Sequence, residues 1–406
     1  MSQNDQVIRL PLPTDGPLDA PDAWQHLRER CPVANVELPS GDTGTLLTRY
    51  EDVKALLSDP RFAHPTAGDR SARLAPEGAG GASADGTRSF GLPLTGEAHL
   101  RWRRRVGRYF TAKRMAALRP RIRGMAEALA GDMIAGGRPA DLRAALAAPL
   151  PIHVICELLG APAADRERFS QWSDAFLNVT RFSKEEITAA QSGFASYMAE
   201  LVAAKHAEPA EDVLSMLIRQ RKAEGEGPSD TELAGIGMAL LVAGQETTAN
   251  IMAKMFALIL ADRTRWERLL ADPSLVRSAV DEVLRFDANL GGFGIRRYIG
   301  EDVRIGDELL PGGTTVFCAL SSANRDERVF TDPDRMDLDR SPNPHLTFGT
   351  GPHSCLGQSL ARTELQVALE VLLRTLPTLE LAVPVEELHR IQGLEVGGLR
   401  EVPVRW

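Results

Sequence analysis

The chain has 406 residues, a formal net charge of -8, 43% apolar residues and 25% charged residues. This composition is typical of a globular protein with a large core, so it argues against a disordered chain, and the negative charge argues against a general nucleic-acid binder. No signal-peptide pattern opens the sequence and no uncharged helical stretch reaches the ~20 residues that span a bilayer, so we expect a cytoplasmic protein with no membrane segment.

Short β-like runs flank a long helical region. β-branched residues and turn glycines cluster at residues 33–38, 44–50, 295–305 and 314–320. Helical periodicity dominates residues 96–288, and no internal repeat or low-complexity linker divides the chain. The sequence therefore predicts a mainly α fold with a small β part, in a single domain that spans residues 1–406.

A loop and a basic run mark the start of the helical region. Residues 74–91 are rich in alanine, glycine and serine without periodicity, which predicts a long mobile loop. Shortly after it, His99 and Arg103 are four residues apart and share one helical face. The run at 101–114 favours either a solvated helix face or a docking surface for an acidic protein. Its cations after Arg103 are Arg104, Arg105, Arg108, Lys113 and Arg114.

A long helix is predicted after Ser229. Ser229 and Glu232 match the S-x-x-E capping box, and apolar residues continue to Leu260. This gives a helix of about 30 residues, or ~45 Å at 1.5 Å per residue. Its first half is apolar on nearly every face, so we expect the helix to cross the interior of the molecule.

The segment AGQETT lies in the middle of this helix, at residues 243–248. A glycine such as Gly244 weakens a helix, and the hydroxyl of Thr247 can bond back to the preceding turn and open the helix locally. Glu246 is an ionisable group in an apolar helix, so it needs a partner or a functional role.

Glu282 and Arg285 form an E-x-x-R pattern further along the chain. Residues three apart share a helical face, so the two side chains can form an ion pair. The pattern alone is weak evidence of function, because such pairs are commonly solvated.

The stretch HLTFGTGPHSCLG ends at Gly357 and contains Cys355. An amphipathic helix follows, so the sulfur lies near a helix N-terminus, where the dipole and unpaired N–H groups favour a thiolate. Gly349, Gly351 and Gly357 would let the backbone turn tightly and approach a flat ligand. A thiolate in this setting can ligate iron.

On this segment alone, Cys355 has three other interpretations. A buried structural cysteine is the common case and stays open here. The four cysteines are scattered without a C-x-x-C pair, and His345, His353 and Cys355 lack the spacing and ligand number of a zinc site. A dinucleotide-binding loop fails because Ser354 stands where the third glycine belongs.

The segment FGTGPHSCLG resembles the F-x-x-G-x-H-x-C-x-G haem-ligand signature of the cytochrome P-450 superfamily, the haem-thiolate monooxygenases. All the fixed positions of the signature match, and in this sequence they are Phe348, Gly351, His353, Cys355 and Gly357. Residues 243–248, 282–285 and 99–103 resemble the family's oxygen-binding, E-x-x-R and H-x-x-x-R motifs in the expected order. The resemblance extends over residues 33–406 and is greatest to soluble actinobacterial members that oxidise macrolides and other natural products. Gln245 and Ile299 depart from the usual residues.

The resemblance implies the family fold, with a long central helix over the haem and the cysteine loop on the proximal side. Cys355 would be the axial ligand of haem b (iron protoporphyrin IX), and Glu246 and Thr247 would deliver protons during oxygen activation. The remaining haem contacts would come from His99, Arg103, Ala243, Gly244, Arg297, Phe348, Gly349, His353 and Gly357. Glu282, Arg285 and Arg335 would form a buried structural network.

The same resemblance implies a substrate pocket beneath the 74–91 loop. Its predicted lining is Leu240, Ala243, Leu290, Gly291, Phe293, Leu394 and Val396. We expect it to take a bulky apolar molecule, such as a macrolide or another polyketide intermediate, for hydroxylation or epoxidation with O2. No flavin or iron-sulfur motif is present, so electrons would come from ferredoxin and ferredoxin reductase, with the basic run as the docking surface.

Two alternatives remain at this point. One is a haem-thiolate enzyme that does not insert oxygen and instead performs oxidative coupling, dehydration or peroxide-driven chemistry. The other is a non-catalytic haem-binding protein. The pair of Glu246 and Thr247 favours the monooxygenase over both. His345 receives no predicted role.

Overall fold

The computed structural model describes residues 8–62, 64–65, 70–74, 90–177, 182–287, 292–391 and 396–406. The helices are α1 Ala23–Arg30, α2 Tyr50–Ser58, α3 Gly96–Gly107, α4 Ala112–Gly136, α5 Pro149–Leu159, α6 Arg166–Leu177, α7 Lys184–Ala207, α8 Val213–Glu224, α9 Asp230–Leu260, α10 Arg263–Ala271, α11 Val276–Phe286, α12 Leu320–Ala323 and α13 Gln358–Thr375. The strands are β1 Ile8–Arg9, β2 Val33–Glu37, β3 Thr43–Leu47, β4 Ala140–Asp141, β5 Ile295–Tyr298, β6 Val303–Ile305, β7 Glu308–Leu310, β8 Thr315–Cys318, β9 Glu380–Leu381 and β10 Pro403–Arg405. The predicted mainly α fold with a small β part is confirmed.

Helix α9 is the central element of the helical body. The capping box is present: the Ser229 hydroxyl accepts from Glu232 N–H, and the Glu232 carboxylate accepts from Ser229 N–H. The helix has 31 residues, and residues 248–260 are all buried. It contacts α5, α6, α7, α10, α11 and α13. The predicted long interior helix is therefore confirmed.

The β part consists of small sheets at the edge of the helical body. The largest has the strand order β1-β2-β3-β8-β5, with β3 parallel and β5 antiparallel to β8. In β5, Arg297 lies opposite Val316, and its side chain is buried. Strands β4, β10 and β9 form a second sheet, and β6 pairs with β7. The predicted β runs therefore form strands.

The loop before α13 is a tight turn against α2. Cys355 N–H donates to Phe348 O at 2.7 Å and closes the loop. Gly351 has φ +70°, and a Cβ at this position would lie 2.5 Å from Leu57 O. Only glycine fits there, because both the backbone conformation and the neighbouring carbonyl exclude a side chain.

The ion-pair network of α11 differs from the predicted one in its third member. Arg285 donates to both oxygens of Glu282 at 2.8 Å, and both side chains are fully buried. The third cation is Arg340, whose Nε lies 3.0 Å from Glu282 Oε2. The prediction of Arg335 was wrong: its side chain is exposed and only its backbone oxygen joins the network. Arg340 Nη2 also donates to Asp332 O at 3.2 Å and to Arg335 O at 3.1 Å.

His345, which had no predicted role, lies under the cysteine loop. Its side chain is 2% exposed, with Nε2 3.5 Å from Asp281 Oδ1 and 3.4 Å from Arg362 Nη2. Arg362 also donates to Asp281 at 2.7 Å, and its guanidinium lies over the ring of Phe348. These contacts tie the loop to α11 and α13.

The two arginines of this region allow a matched test. Arg340→Ala should lower the free energy of unfolding by about 2 kcal/mol, because hydrogen bonds to a buried charged group contribute about 1.5–3 kcal/mol. Arg335→Ala leaves the backbone oxygen of this residue in place, so it should change the free energy of unfolding by about 0.5 kcal/mol or less. Urea unfolding of both variants provides the measurement. An equal effect of the two substitutions would contradict the assignment of Arg340.

Candidate active site

A cavity of about 370 Å³ lies between α9 and the cysteine loop. One side is formed by Ala243, Gly244 and Thr247 of α9, and the other by Phe348 and Cys355. Residues that are about 100 positions apart in the sequence therefore face each other across one space. The predicted site residues in its lining are Arg103, Leu240, Ala243, Gly244, Thr247, Phe348, His353, Cys355, Gly357 and Val396.

Cys355 differs from the other cysteines in its surroundings. The enclosing protein raises the pKa of its thiol, whereas the N–H groups of Gly357 and Gln358 and the charge of Arg103 lower it. Cys156 and Cys318 are buried without such donors, and burial raises the pKa of each to about 12. The thiol of Cys355 is thus the one that has hydrogen-bond donors and access to a cavity.

Three imidazoles lie together next to the cysteine loop. The rings of His99 and His353 stack with centroids 4.2 Å apart, and His64 meets His353 edge-on at 5.4 Å. Desolvation by the surrounding protein lowers the pKa of all three, for His353 to about 3, and neighbouring arginine charges lower it further. The three rings are therefore neutral near pH 7.

Two arginines complete the group that we call the cationic cluster. Its members are His64, His99, Arg103, Arg297 and His353. Arg297 is 2% exposed; its Nη1 donates to Arg296 O at 2.9 Å and lies 3.4 Å from His64 Nε2. Arg103 donates to Ser354 O at 2.6 Å. Within the described residues neither guanidinium is paired with a carboxylate, and Arg297 Nε is buried without a partner. A buried, uncompensated positive charge fits an anionic ligand.

The α9 side of the site carries a threonine and a glutamate. Thr247 Oγ donates to Ala243 O at 2.6 Å, which is the predicted bond to the preceding turn. Glu246 is not part of the cavity lining, and its Oε1 lies 3.4 Å from Arg143 Nη2. Burial raises the pKa of Glu246, Arg143 opposes this, and the charge of Asp174 adds to it. Glu246 therefore holds a proton at higher pH than an exposed glutamate does.

Some predicted residues lie elsewhere. Phe293 is outside the cavity lining and packs against the apolar cluster of Leu10 and Trp24. Leu290, Gly291 and Leu394 are outside the described residues, as is most of the predicted 74–91 loop. Gly349 has φ +65° and lies near Ile295, so it belongs to the turn of the cysteine loop and not to the cavity lining.

Several lining residues were not anticipated from the sequence. They come from different helices and the loop before α13, and their contact with the cavity depends on tertiary packing. The apolar members have only apolar periodicity as a signal in the sequence, which marks core residues equally well, and Thr248, Thr347, Ser354 and Leu356 are neighbours of the predicted site residues. The unanticipated members are Phe110, Ile155, Thr248, Ile251, Leu284, Thr347, Ser354, Leu356, Leu360 and Ala361.

The family model for cytochrome P-450 matches residues 167–384. The chain belongs to the cytochrome P-450 family. It is 41% identical over 391 residues to nocardicin C N-oxygenase of Nocardia uniformis subsp. tsuyamanensis, a match that covers 96% of each protein. It is 42% identical over 384 residues to mycinamicin IV hydroxylase/epoxidase of Micromonospora griseorubida, which covers 94% of each.

A solved structure shows the same fold. The LnmA cytochrome P-450 hydroxylase from the leinamycin biosynthetic pathway of Streptomyces atroolivaceus superposes with a TM-score of 0.89 at 38% identity, over 98% of this chain and 100% of that chain. The predicted cytochrome P-450 fold and monooxygenase class are thereby confirmed. None of the helices in the described part of the chain is both long and apolar enough to cross a membrane.

Cytochromes P-450 hold a haem through a cysteine thiolate, and the residues of this cavity fit that group. Cys355 supplies a sulfur that faces the cavity, and the cationic cluster supplies positive charge for carboxylates. An ideal Cβ on Gly357 would meet nothing within 4 Å, so the backbone leaves open space beside the cysteine.

The thiolate assignment can be tested by substitution of the cysteine. Cys355→Ser should abolish the red-shifted Soret band of the reduced carbon monoxide complex, because that band requires a thiolate ligand. Cys31→Ser, at a partly exposed cysteine outside the cavity, is the matched control and should retain the band. Difference spectroscopy of the purified variants is the measurement. A persistent band in Cys355→Ser would exclude this cysteine as the ligand.

Proposed function

We propose that this cytochrome P-450 inserts one oxygen atom from O2 into a bulky, mostly apolar secondary-metabolite intermediate, such as a macrolide or another polyketide. Hydroxylation and epoxidation are the reactions of this proposal. The observation that carries it is the apolar character of the cavity between the cysteine and α9. Its apolar lining includes Ile155, Leu240, Ile251, Leu284, Leu360 and Val396. Relatives that share 41–42% of their residues act on nocardicin C and mycinamicin IV.

We infer that the prosthetic group is haem b and that Cys355 would hold it through its thiolate. Arg103 and Arg297 would pair with the haem carboxylates, and His99 and His353 would donate hydrogen bonds to them. When bound, the haem supplies the activation of dioxygen that the protein's own side chains cannot provide. The protein positions the group and the substrate next to each other.

Thr247 and Glu246 would control protons on the α9 side. The Thr247 hydroxyl donates to Ala243 O, so its oxygen accepts a hydrogen bond from a protonated group in the cavity and orients it. Glu246 lies one residue away with a raised pKa, so it can hold a proton and release it toward Thr247.

We propose that ferredoxin, reduced by ferredoxin reductase, delivers electrons at the basic run on α3 and α4. Arg103 of α3 donates to Ser354 O, so this helix lies directly beside the cysteine loop. Arg104 pairs with Glu97 at 2.8 Å, and Arg108 lies 3.5 Å from Glu224. In the described part of the chain, Arg101, Arg105 and Lys113 have no acidic partner and remain available to an acidic protein.

We also propose that residues 1–406 form one domain and that the enzyme is cytoplasmic. One apolar cluster runs from Leu92 to Val404 and includes residues of α3 to α11, α13 and β10, which supports a single folding unit. All four cysteines are free thiols, which supports a reducing compartment.

The substrate class is tested by binding and by isotope labelling. A panel of macrolides that includes mycinamicin IV should shift the Soret band of the ferric protein, because a bulky ligand in the cavity displaces water from the haem. Turnover with reduced ferredoxin and labelled O2 should place one labelled oxygen in the product, as measured by mass spectrometry. Small monoterpenes serve as the size control.

Two results would contradict this proposal. A spectral shift with the monoterpenes but not with any macrolide would exclude a bulky substrate. A product without label, despite oxygen consumption, would instead favour oxidative coupling or dehydration.

The docking surface is tested by charge reversal. Arg105→Glu combined with Lys113→Glu should slow reduction by ferredoxin about tenfold at low salt, because electrostatic steering raises association rates by 10–10³-fold. The same double change at Arg9 and Arg400, which lie outside the basic run, is the matched control. Stopped-flow reduction with carbon monoxide trapping is the measurement. Equal rates for both double variants would remove the basic run as the docking surface.

A further inference from the structure

Arg362 lies next to the cysteine loop and has no role in the mechanism above. It belongs to the second turn of α13, seven residues after Cys355. The central carbon of its guanidinium lies over the ring of Phe348, 4.5 Å from the ring centre. A cation in this position is attracted by the electrons of the ring, so the contact keeps a positive charge against the loop.

Phe348 connects this charge to the sulfur. Its carbonyl oxygen accepts the hydrogen bond from Cys355 N–H at 2.7 Å, and both residues line the cavity. Desolvation raises the pKa of the Cys355 thiol, whereas the charge of Arg362 is among the effects that lower it. The guanidinium therefore acts electrostatically on the sulfur as well as on the ring.

Three polar side chains hold Arg362 in this position. Its Nε donates to Asp281 Oδ1 at 2.7 Å, and its Nη1 donates to Gln358 Oε1 at 3.2 Å. Its Nη2 lies 3.4 Å from His345 Nε2. Because all three nitrogens of the guanidinium have a contact, the group has little freedom to turn away from Phe348.

His345 fixes the acidic partner of this arginine. Thr347 N–H donates to His345 Nδ1 at 3.4 Å, which leaves Nε2 to donate to Asp281 Oδ1, 3.5 Å away. Desolvation opposes ionisation of Asp281, but the hydrogen bonds from His345 and Arg362 outweigh it and lower its pKa. The carboxylate is therefore charged near pH 7, and it is bound from both the loop and α13.

A fixed positive charge beside a thiolate ligand favours the more negative state of the bound group. The thiolate donates electron density to the iron, and nearby charges and hydrogen bonds adjust that donation. Addition of one electron makes the group more negative. A cation such as Arg362 stabilises this reduced state more than the oxidised state, whereas a carboxylate such as Asp281 has the opposite effect.

We propose that Arg362 is a positioning residue that raises the reduction potential of the bound haem through Phe348 and Cys355. Asp281 and His345 fix it in the geometry that this effect requires. The inference rests on the proposed binding of haem by Cys355. In the step concerned, the ferric group takes one electron from the electron donor, and no bond in the protein forms or breaks. His345, which had no predicted role, thereby receives one in the support of Arg362.

The test compares Arg362→Gln with Asp281→Asn, two substitutions that remove charges of opposite sign. The reduction potential of the haem-loaded protein is measured by optical titration with dithionite and mediator dyes, without ferredoxin and without organic substrate. At a fixed applied potential, Arg362→Gln should lower the ratio of ferrous to ferric haem about tenfold, a negative shift of about 59 mV for one electron. Asp281→Asn should shift the potential in the positive direction.

Two further variants distinguish an effect of charge from an effect on structure. Arg362→Lys keeps the charge and should restore most of the potential, although it loses the planar contact with Phe348. Arg374→Gln removes an exposed cation near the other end of α13, about 18 Å along the helix at 1.5 Å per residue. It should leave the potential unchanged, because salt screens exposed charges over such a distance.

The red-shifted Soret band of the reduced carbon monoxide complex is recorded for every variant. An unchanged potential in Arg362→Gln, or shifts of the same sign in Arg362→Gln and Asp281→Asn, would overturn the proposed effect of charge. Loss of the band in both Arg362→Gln and Arg362→Lys would also overturn it, since the residue would then act on the fold of the loop.

A different result would contradict the proposed function. Absence of the red-shifted band in the unchanged enzyme would exclude the binding of haem by Cys355, and the inference with it. The substrate class does not affect these measurements, because no organic substrate is added. A role of Arg362 in ferredoxin docking does not affect them either, because the potential is measured without ferredoxin.

Discussion

The hydrogen bond from Cys355 N–H to Phe348 O fixes the position of the sulfur on which the rest of the site depends. The bond forms only if the backbone between the two residues turns sharply, and Gly351 permits that turn against the carbonyl of Leu57. The contacts of His345 with Arg362 and Asp281 attach the loop to α13 and α11. These contacts are polar and partly buried, so they define one geometry rather than a range of similar packings.

Charge is distributed unequally on the two sides of the cavity. On the cysteine side, burial keeps three imidazoles neutral and leaves the positive charge on Arg103 and Arg297. On the α9 side, burial favours the protonated form of Glu246, and Arg143 moderates that effect. The site thus combines two arginines that attract anions with a glutamate that favours its protonated form. Both follow from desolvation, which acts oppositely on bases and acids.

Much of this arrangement could be predicted from local patterns. The capping box of Ser229 and Glu232 defined the start of α9, and the glycine-rich segment before α13 indicated the cysteine loop. Local patterns could not predict the contacts between distant parts of the chain. The contact of Arg143 with Glu246 joins residues 103 positions apart, and the contact of Arg340 with Glu282 joins residues 58 positions apart. No sequence pattern marks His64, because only the tertiary fold brings this residue to the cationic cluster.

Asp141 connects the C-terminal strand to Arg143, which contacts the proposed acid Glu246. One carboxylate oxygen accepts the N–H groups of both Arg143 and Val402, directly beside the pairing of β10 with β4. The last strand of the chain is therefore part of the scaffold that orients Arg143. Tags, truncations or recombination sites placed in this strand would change the position of Arg143 beside Glu246. They would do so even though they leave the cavity lining unchanged.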